Sequence, residues 1–413
     1  MKSPDAASKV KDVPSDLRQV IRRIEARSRQ RPPAHRALSL EEALGGAVEE
    51  TERGGILVVR RRFPAAHVHG AQPLALARAI ASEPLALLGR AGEPPADSRR
   101  LLYLDTETTG LAGGTGTYAF LVGAGFFDGE EFEVQQYFMR DLDEEPALLA
   151  ALDGLFRRFE GFVTYNGAGF DLPLLETRFV LGRRRWRDEV FHMDMLGPAR
   201  RLWSARLADC RLGTVEQHVL GFTREDDVPG HMIPSVYFEY LRRKLPGELM
   251  RVFDHNRHDI LSLAALAGWV ADALARAPAP ECHPEELAGL GKLLEISDPE
   301  RGLACYRMAL DRGLESPGRE RLLLRLGQRE KRLARWDEAR ALWEEAARCR
   351  HGFDPRPWEE IAKVHEHRRR DLPAACAVVE EALARARRHQ ASGRVLEAFE
   401  YRLERLTRRL AAR

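Results

Sequence analysis

Two carboxylates lie close together at the end of an apolar segment. Asp105 and Glu107 are two residues apart in LLYLDTET, residues 101–108. Side chains two apart on a β-strand point to the same face, so these two project together. Like charges placed side by side cost free energy unless a cation lies between them. On its own, the pair is compatible with a divalent cation site and with a solvated strand end.

A third carboxylate follows a strand-like segment and a glycine-containing loop. In FVTYNGAGFDLPLL, residues 162–175, Asp171 precedes Pro173, a residue suited to the first turn of a helix. The pattern predicts a helix that begins at Asp171. The Asp171 side chain is either the N-cap of that helix or part of a site. Asn166 is likewise either a turn residue or a substrate contact.

A later segment, FDHNRHDILSL at residues 253–263, carries a histidine and a carboxylate at helical spacing. His255 and Asp259 are four residues apart and share one helix face, whereas His258 is turned away by about 100°. Neighbouring apolar residues would let this helix pack on a sheet and aim both groups at the strand ends. The HxxxD pattern alone is also compatible with a surface pair.

Taken in order, the three segments resemble the DEDD family of 3′–5′ exonucleases, which have a ribonuclease H-like fold. The resemblance covers roughly residues 100–275. More narrowly, GGTGTYAFLVG (113–123), DVPG (227–230) and IPSVY (233–237) are similar to the YprB-type ribonuclease H-like proteins of bacteria. Members of that group often carry C-terminal tetratricopeptide-like repeats. The resemblance implies an α/β fold with a mixed sheet flanked by helices, followed by an all-α repeat region.

The resemblance also implies a metal site. Hard cations such as Mg²⁺ and Mn²⁺ prefer oxygen ligands, and a pair of them can hold both the attacking water and the leaving oxygen of a phosphodiester. Four carboxylates would bind these two divalent cations: Asp105, Glu107, Asp171 and Asp259. His255 would orient or deprotonate the water.

The chain departs from both common patterns of that family at one position. Histidine-type members place the histidine five residues before the last aspartate, where this chain has Asp254. Tyrosine-type members place a tyrosine four residues before it, where this chain has His255. The resemblance therefore supports the metal ligands and leaves the general base open.

Residues near these motifs predict contacts with substrate. Basic and aromatic side chains follow Asp194, and Arg200 and Arg201 are expected to track a nucleic-acid backbone. A solvated basic helix face is the alternative interpretation. Thr108 and Asn166, inside the first two motifs, complete the predicted substrate contacts.

Composition shifts divide the chain into four predicted parts. They are a basic flexible arm (1–36), an N-terminal α+β extension (37–95), a ribonuclease H-like exonuclease domain (96–277) and helical repeats (284–413). In the last part small and bulky residues recur at intervals of 37 and 36: Gly302, Ala339 and Ala375; Tyr306, Trp343 and Val379; Ala309, Ala346 and Ala382. The period favours tetratricopeptide-like repeats over a plain helical bundle.

The net charge of +2 identifies no partner, but its distribution is uneven. Residues 1–70 carry 14 basic and 9 acidic side chains, residues 284–413 carry 28 and 23, and residues 71–283 carry 23 and 31, a net of −8. A centre of that sign repels a polyanion unless cations or the flanks offset it.

Hydropathy and the N-terminal sequence bear on location. No run of 18 or more apolar residues predicts a membrane span, and the charged first segment lacks the apolar stretch of a secretory signal. We therefore expect a cytoplasmic protein that does not associate with membranes.

The leading hypothesis is a metal-dependent 3′–5′ exonuclease that acts on single-stranded or frayed nucleic acid. One alternative is a nucleic-acid-binding protein with a weak or inactive nuclease site. Another is a scaffold that binds a protein partner through the C-terminal repeats.

Overall fold

The computed structural model describes residues 39–110, 115–187, 190–348 and 352–412. The predicted N-terminal arm, residues 1–36, lies outside the described residues. Nine strands and sixteen labelled helices account for most of the described chain, with short 3₁₀ and π-helical turns between them.

Seven of the strands form one mixed sheet, and two form a small separate hairpin. The sheet strands are β1 (Ala47–Thr51), β2 (Gly54–Pro64), β5 (Leu101–Thr108), β6 (Ala119–Asp128), β7 (Glu131–Phe138), β8 (Gly161–Thr164) and β9 (Phe191–Asp194). The hairpin consists of β3 (Val68–His69) and β4 (Gln72–Pro73). The order in the sheet is β1-β2-β7-β6-β5-β8-β9.

Strand β5 lies inside the sheet and sets its mixed character. It pairs antiparallel with β6 and parallel with β8, and β8 pairs parallel with β9. The carboxyl ends of β5, β8 and β9 therefore meet at one edge. This confirms the predicted α/β class, in which three antiparallel strands precede alternating helices and strands.

The N-terminal extension continues this sheet. Strand β2 pairs antiparallel with β7 from Leu57 opposite Phe138 to Pro64 opposite Glu131. Leu74 and Ala77 of the extension are buried in the same hydrophobic core as helices that follow β9. The Gly/Pro-rich segment GRAGEPPADSRR, residues 89–100, thus joins two parts of one sheet and core.

Nine helices lie within or beside the sheet region. They are α1 (Leu40–Leu44), α2 (Ala75–Arg78), α3 (Ser82–Leu88), α4 (Glu145–Phe156), α5 (Asp171–Leu181), α6 (Leu196–Trp203), α7 (Leu212–Val215), α8 (Ile233–Arg243) and α9 (Leu249–Ala275). Helix α9 passes across the middle of the fold and contacts β5, β6 and β7. By length and mean hydropathy it could span a membrane, but 72% of its most apolar window is buried inside the protein. It is therefore the core helix of this domain.

Glycines on β6 allow α9 to approach the sheet closely. A Cβ atom on Gly123 would lie 2.4 Å from Oδ1 of Asn256, and one on Gly125 would lie 2.4 Å from Cγ2 of Ile260. Both distances are far below ordinary van der Waals contact, so any larger residue would push the helix away. The close approach fixes which helix residues reach the end of β5.

The C-terminal part is helical, as predicted. Its helices are α10 (Pro284–Leu294), α11 (Pro299–Asp311), α12 (Gly318–Arg332), α13 (Trp336–Arg348), α14 (Pro355–Lys363), α15 (Leu372–Arg388) and α16 (Gly393–Ala411). The recurring residues occupy the fourth, eighth and eleventh positions of α11, α13 and α15, and all nine are buried. Glycines on the preceding helices complement the bulky members: a Cβ on Gly291 would meet the ring of Tyr306, and one on Gly327 would meet Trp343. Small residues on one helix thus leave room for the bulky side chains of the next helix.

Replacing Gly125 by alanine should destabilise the protein. The new methyl group would overlap Ile260 and Phe132, and such overpacking costs about 1–3 kcal/mol in the free energy of unfolding. Urea denaturation measures the difference. Gly154→Ala is the matched control, because no described atom lies within 4 Å of that position and alanine favours the helix by about 0.5–1 kcal/mol. Equal stability of the two variants would contradict the proposed close packing.

Candidate functional site

The structure brings the three motifs together at one edge of the sheet. Asp105 and Glu107 lie at the end of β5, Asp171 is the first residue of α5, and His255 and Asp259 lie on α9. One oxygen or nitrogen from each of Glu107, His255 and Asp259 lies within 4.8 Å of the others. Segments separated by up to 154 positions in the chain, from Asp105 to Asp259, thus share one site.

Burial raises the pKa values of three carboxyls in this cluster, and repulsion from neighbouring carboxylates adds to the effect. Burial first, and then the charges of Asp259, Glu107 and Asp171, hold the pKa of Asp105 well above its usual value. Burial also raises the pKa of Glu107 to about 8, with His255 opposing and Asp259 adding to the effect. Burial raises the pKa of Asp171 to about 6, against the hydrogen bond from Thr106. A site that repels its own negative charge is suited to a cation.

Helix α5 begins at Asp171, as the Pro173 pattern predicts, but Asp171 is not the N-cap. The N-cap position is Phe170, and the Asp171 side chain is directed at β5. Its Oδ1 accepts a hydrogen bond from the Thr106 hydroxyl at 2.5 Å. This bond links the start of α5 to the strand that carries Asp105 and Glu107.

Asn256 holds the Asp105 carboxylate from the side of α9. Its Nδ2 donates to Oδ2 of Asp105 at 2.8 Å, and its Oδ1 accepts from Nε2 of Gln136 at 2.9 Å. Nε2 of Gln136 also donates to the carbonyl oxygen of Phe253 at 2.8 Å. Because Asn256 is fully buried, these bonds fix the orientation of Asp105 relative to the helix.

His255 faces the carboxylates with one nitrogen and a supporting aspartate with the other. Nδ1 lies 2.7 Å from Oδ1 of Asp227, and Nε2 lies 3.3 Å from Oδ2 of Asp259 and 3.8 Å from Oε1 of Glu107. Burial alone would lower the pKa of His255, but the hydrogen bond to Asp227 and the charges of Asp259 and Glu107 raise it to about 9. Asp254 lies outside this group, since its exposed side chain pairs with Arg257 at 2.8 Å.

Arg224 brings a positively charged side chain to the site. Its side chain is only 10% exposed and pairs with Glu216, Asp227 and Asp259. Nε donates to Oε2 of Glu216 at 2.8 Å, and a terminal nitrogen donates to Oδ1 of Asp259. Burial would lower the pKa of Arg224, but the attraction of Asp259 and Glu216 raises it. This arginine therefore fixes Asp259 and supports the aspartate behind His255.

Asp194 shapes the loop that leads to Asp171. At the end of β9 its carboxylate accepts hydrogen bonds from the backbone nitrogens of Asn166, Ala168 and Leu196, at 2.8, 3.1 and 3.1 Å. Asn166 has a left-handed backbone with φ of 67°, a conformation that asparagine tolerates better than most residues. Asn166 is thus a turn residue with an exposed side chain beside the site.

The remaining predicted substrate contacts lie at different places. Thr108 is buried, and its hydroxyl donates to the carbonyl of Gly110 at 2.8 Å. Arg200 and Arg201 are exposed on α6. The charge of Arg200 acts on the Tyr165 hydroxyl beside the loop, whereas the charge of Arg201 acts on Lys292 of α10.

Sequence reasoning missed Arg224, Asn256 and Gln136. Arg224 lies in a non-helical segment, FTREDDVPG, next to the DVPG motif, and that proximity was its only sequence signal. Asn256 follows His255 directly and so lies about 100° around the helix from it. Its role depends on Gly123, which no local pattern reveals.

The donor set fits hard divalent cations. Carboxylate oxygens of Asp105, Glu107 and Asp171 lie in a poorly solvated cluster that raises the pKa of each, so a cation would replace protons there. Asp259 also faces this cluster, with one oxygen held by Arg224. The residues present can therefore hold such ions.

Comparisons with known proteins agree with this geometry. The sequence profile of the RNase H superfamily matches residues 102–271, a range that includes all five clustered residues. The chain is 32% identical over 302 residues to Uncharacterized protein YprB of Bacillus subtilis (strain 168), and the match covers 70% of each chain. The predicted ribonuclease H-like fold is confirmed.

A solved structure is also similar in part. The family B DNA polymerase from the hyperthermophilic archaeon Pyrobaculum calidifontis matches with 16% identity and a TM-score of 0.31. The match covers 53% of this chain and 30% of the polymerase chain.

Asp227→Asn should lower the pKa of His255, because the hydrogen bond to Asp227 is the largest of the effects that raise it. The imidazole signals in an NMR titration of the metal-free protein report the change, which should be about one unit or more. Asp254→Asn is the control, since that carboxylate is on the same helix but pairs with Arg257. An unchanged His255 pKa in Asp227→Asn would refute the conclusion that Asp227 raises the pKa of His255.

Proposed function

This chain belongs to the YprB family of the RNase H superfamily, and we propose that it is a metal-dependent 3′–5′ exonuclease acting on single-stranded or frayed nucleic acid. The observation that carries the proposal is the convergence of buried carboxylates from three remote segments on one edge of the sheet. Such a cluster has little structural use without cations, since its repulsion opposes folding.

Asp105, Glu107, Asp171 and Asp259 would hold two divalent cations, Mg²⁺ or Mn²⁺. Ions bound there would supply charge stabilisation for a phosphodiester and a nucleophilic water at neutral pH. Asn256 and Thr106 orient two of the ligands, because they donate to Asp105 and Asp171. Ligands held in this way need little rearrangement when an ion arrives.

His255 would orient the attacking water through Nε2, and would deprotonate it once bound cations offset the charges of Glu107 and Asp259 that raise its pKa. Asp227 accepts from Nδ1, so the proton on that nitrogen is fixed and Nε2 is the atom that faces Glu107 and Asp259. The arrangement of carboxylate, imidazole and reacting group is one that catalytic sites use repeatedly. It supports a working role for histidine at the offset where related families carry tyrosine.

One observation favours a second candidate function. Arg224 already pairs with Asp259, so a guanidinium neutralises part of the charge that a cation would offset. A site arranged in this way could bind nucleic acid with weak or no cleavage. The experiments below separate the two functions, because only the nuclease requires metal-dependent release of nucleotides.

Asp105→Asn should abolish nuclease activity. In the presence of Mn²⁺, wild-type protein should release mononucleotides from the 3′ end of a labelled strand, and the variant should be slower by about 1000-fold or more, as the loss of several kcal/mol of metal-derived stabilisation implies. The same variant should melt no lower than wild type in a chelator, because asparagine at this position carries no charge that Glu107, Asp171 and Asp259 could repel.

Asp128→Ala serves as the control for this experiment. Asp128 is an exposed carboxylate at the far end of β6, so its loss should leave the rate unchanged. Wild-type protein that degrades neither DNA nor RNA ends with Mn²⁺ would rule out the nuclease and favour the binding function.

Metal binding should release protons and strengthen as the pH rises. In the metal-free protein the pKa of Glu107 is about 8 and that of Asp171 about 6, so at pH 6 both groups are largely or partly protonated. A cation must displace those protons, and its affinity should rise by about tenfold or more from pH 6 to pH 8.5.

Calorimetry of Mn²⁺ binding in buffers with different ionisation enthalpies measures the number of protons released. At pH 7 roughly one proton or more should leave per protein. The charge-removing variant Glu107→Gln should release fewer protons than wild type. An affinity independent of pH would contradict the assignment of these carboxylates as ligands.

A further inference from the structure

Basic side chains, all but one without a carboxylate partner among the described residues, gather where the C-terminal helices meet α6. We call this group the basic strip: Arg201 on α6, Lys292 on α10, and Arg321, Arg325 and Arg332 on α12. All five residues are exposed. None of them is required by the site described above, and all but Arg201 belong to the repeat region.

The strip is continuous because α6 and α10 are in close contact. A Cβ atom on Gly289 would lie 2.6 Å from the carbonyl oxygen of Arg201 and 2.9 Å from Cα of Leu202. Below this contact, Nε1 of Trp203 donates to Oε1 of Glu286 at 2.8 Å in a buried pair. The nuclease domain and the first repeat helix are thereby held in a fixed relation.

The charges of the strip are nearly uncompensated. Arg325 pairs with Glu295, but Arg201, Lys292, Arg321 and Arg332 have no carboxylate within 4.0 Å among the residues that the structure describes. Burial lowers the pKa of Lys292, and the charges of Arg321, Arg325 and Arg201 lower it further, against Glu295. Like charges held together in this way attract an anion.

Spacing along α12 favours an extended anion. Arg321, Arg325 and Arg332 are separated by four and seven residues, so they form one stripe along the exposed helix face. A stripe of fixed cations matches a chain of regularly spaced phosphates better than it matches a single small anion.

The strip begins one residue from a side chain whose charge acts on the loop that leads to Asp171. Arg200 precedes Arg201, and its charge acts on the Tyr165 hydroxyl, which donates to the carbonyl oxygen of Cys210 at 2.6 Å. Tyr165 lies between the end of β8 and Asn166, in the loop that leads to Asp171. A strand that leaves the site past Arg200 would therefore reach α10 and α12.

We propose that the basic strip binds the phosphate backbone of single-stranded nucleic acid whose end lies in the carboxylate site. This inference rests on the proposed function for its choice of partner. It assigns the first repeat helices to the substrate-binding surface, where they extend the contact beyond the nucleotides nearest the site.

The test compares two triple variants of the full chain. The strip variant is Lys292→Ala/Arg321→Ala/Arg332→Ala. The control variant is Arg307→Ala/Arg388→Ala/Arg394→Ala, which removes three exposed arginines of α11, α15 and α16 that have no carboxylate partner among the described residues. Both variants lose the same charge, so a general electrostatic effect would appear in both.

Binding is measured without added metal, so that it does not depend on cleavage. Fluorescence anisotropy with a labelled strand of about 20 nucleotides, longer than the ~4–16 nucleotides that one single-strand-binding fold covers, should show weaker binding by the strip variant. The slope of log affinity against log salt should fall by about 2, since each lost contact on a single strand contributes about 0.7. The control variant should bind like wild type.

Two further measurements separate this inference from the proposed function. With Mn²⁺, the strip variant should cleave a strand of about 3 nucleotides as wild type does, because so short a strand lies within the site, but should cleave the longer strand more slowly. Wild-type protein that binds the long strand through the strip without cleaving either strand would refute the nuclease and retain the inference.

Equal affinity and equal salt dependence of the strip variant and wild type would overturn the inference and leave the nuclease intact. A strip that binds an acidic polypeptide such as polyglutamate more tightly than the nucleic acid would also overturn it, and would indicate a protein partner for the repeats.

Discussion

Glu107 and Asp171 are buried and Asp105 is half-buried beside them, and desolvation, with repulsion from neighbouring carboxylates, raises the pKa values of all three. The surrounding residues respond to that excess of negative charge. Arg224 and His255 bring positive charge to the side of the cluster formed by Asp259. Each of them contacts both Asp259 and Asp227. These contacts offset only part of the repulsion, because among the described residues the side-chain donor to Asp105 is the neutral amide of Asn256. A divalent cation is the simplest partner that would complete the balance.

The geometry of this cluster depends on how closely one helix approaches the sheet. Helix α9 carries His255, Asn256 and Asp259, and the glycine face of β6 lets it lie near enough for Asn256 to reach Asp105. A helix displaced by one methyl group would lengthen every contact between α9 and the end of β5. Local packing and site chemistry are therefore linked, since the same glycine that admits Asn256 also positions the histidine one residue before it.

The sequence predicted the parts of the site that carry a regular pattern. Strand alternation placed Asp105 and Glu107 on one face, Pro173 marked the start of α5, and helical spacing paired His255 with Asp259; the structure has all of these features. It did not predict Arg224, because a single arginine in an irregular segment has no period and its partners are distant in the chain. The pairing of β2 with β7 was likewise hidden, since alternation identifies a strand but not its neighbour.

A nuclease with an acidic centre must overcome repulsion of the phosphate at the scissile bond. It must also attract the more distant phosphates of the strand. Close to the scissile bond, carboxylates would repel a phosphate unless bound cations reverse the local charge. Farther away, those cations are screened, since the Debye length is about 8 Å at physiological ionic strength, and they cannot hold the rest of the strand. Fixed cations outside the acidic region are therefore needed, and Lys292, Arg321 and Arg332 supply them without paired carboxylates in the described structure. In the proposed function, the net of −8 over residues 71–283 and the excess of basic residues after 284 have complementary roles, since the repeat region would attract the strand that the centre alone would repel.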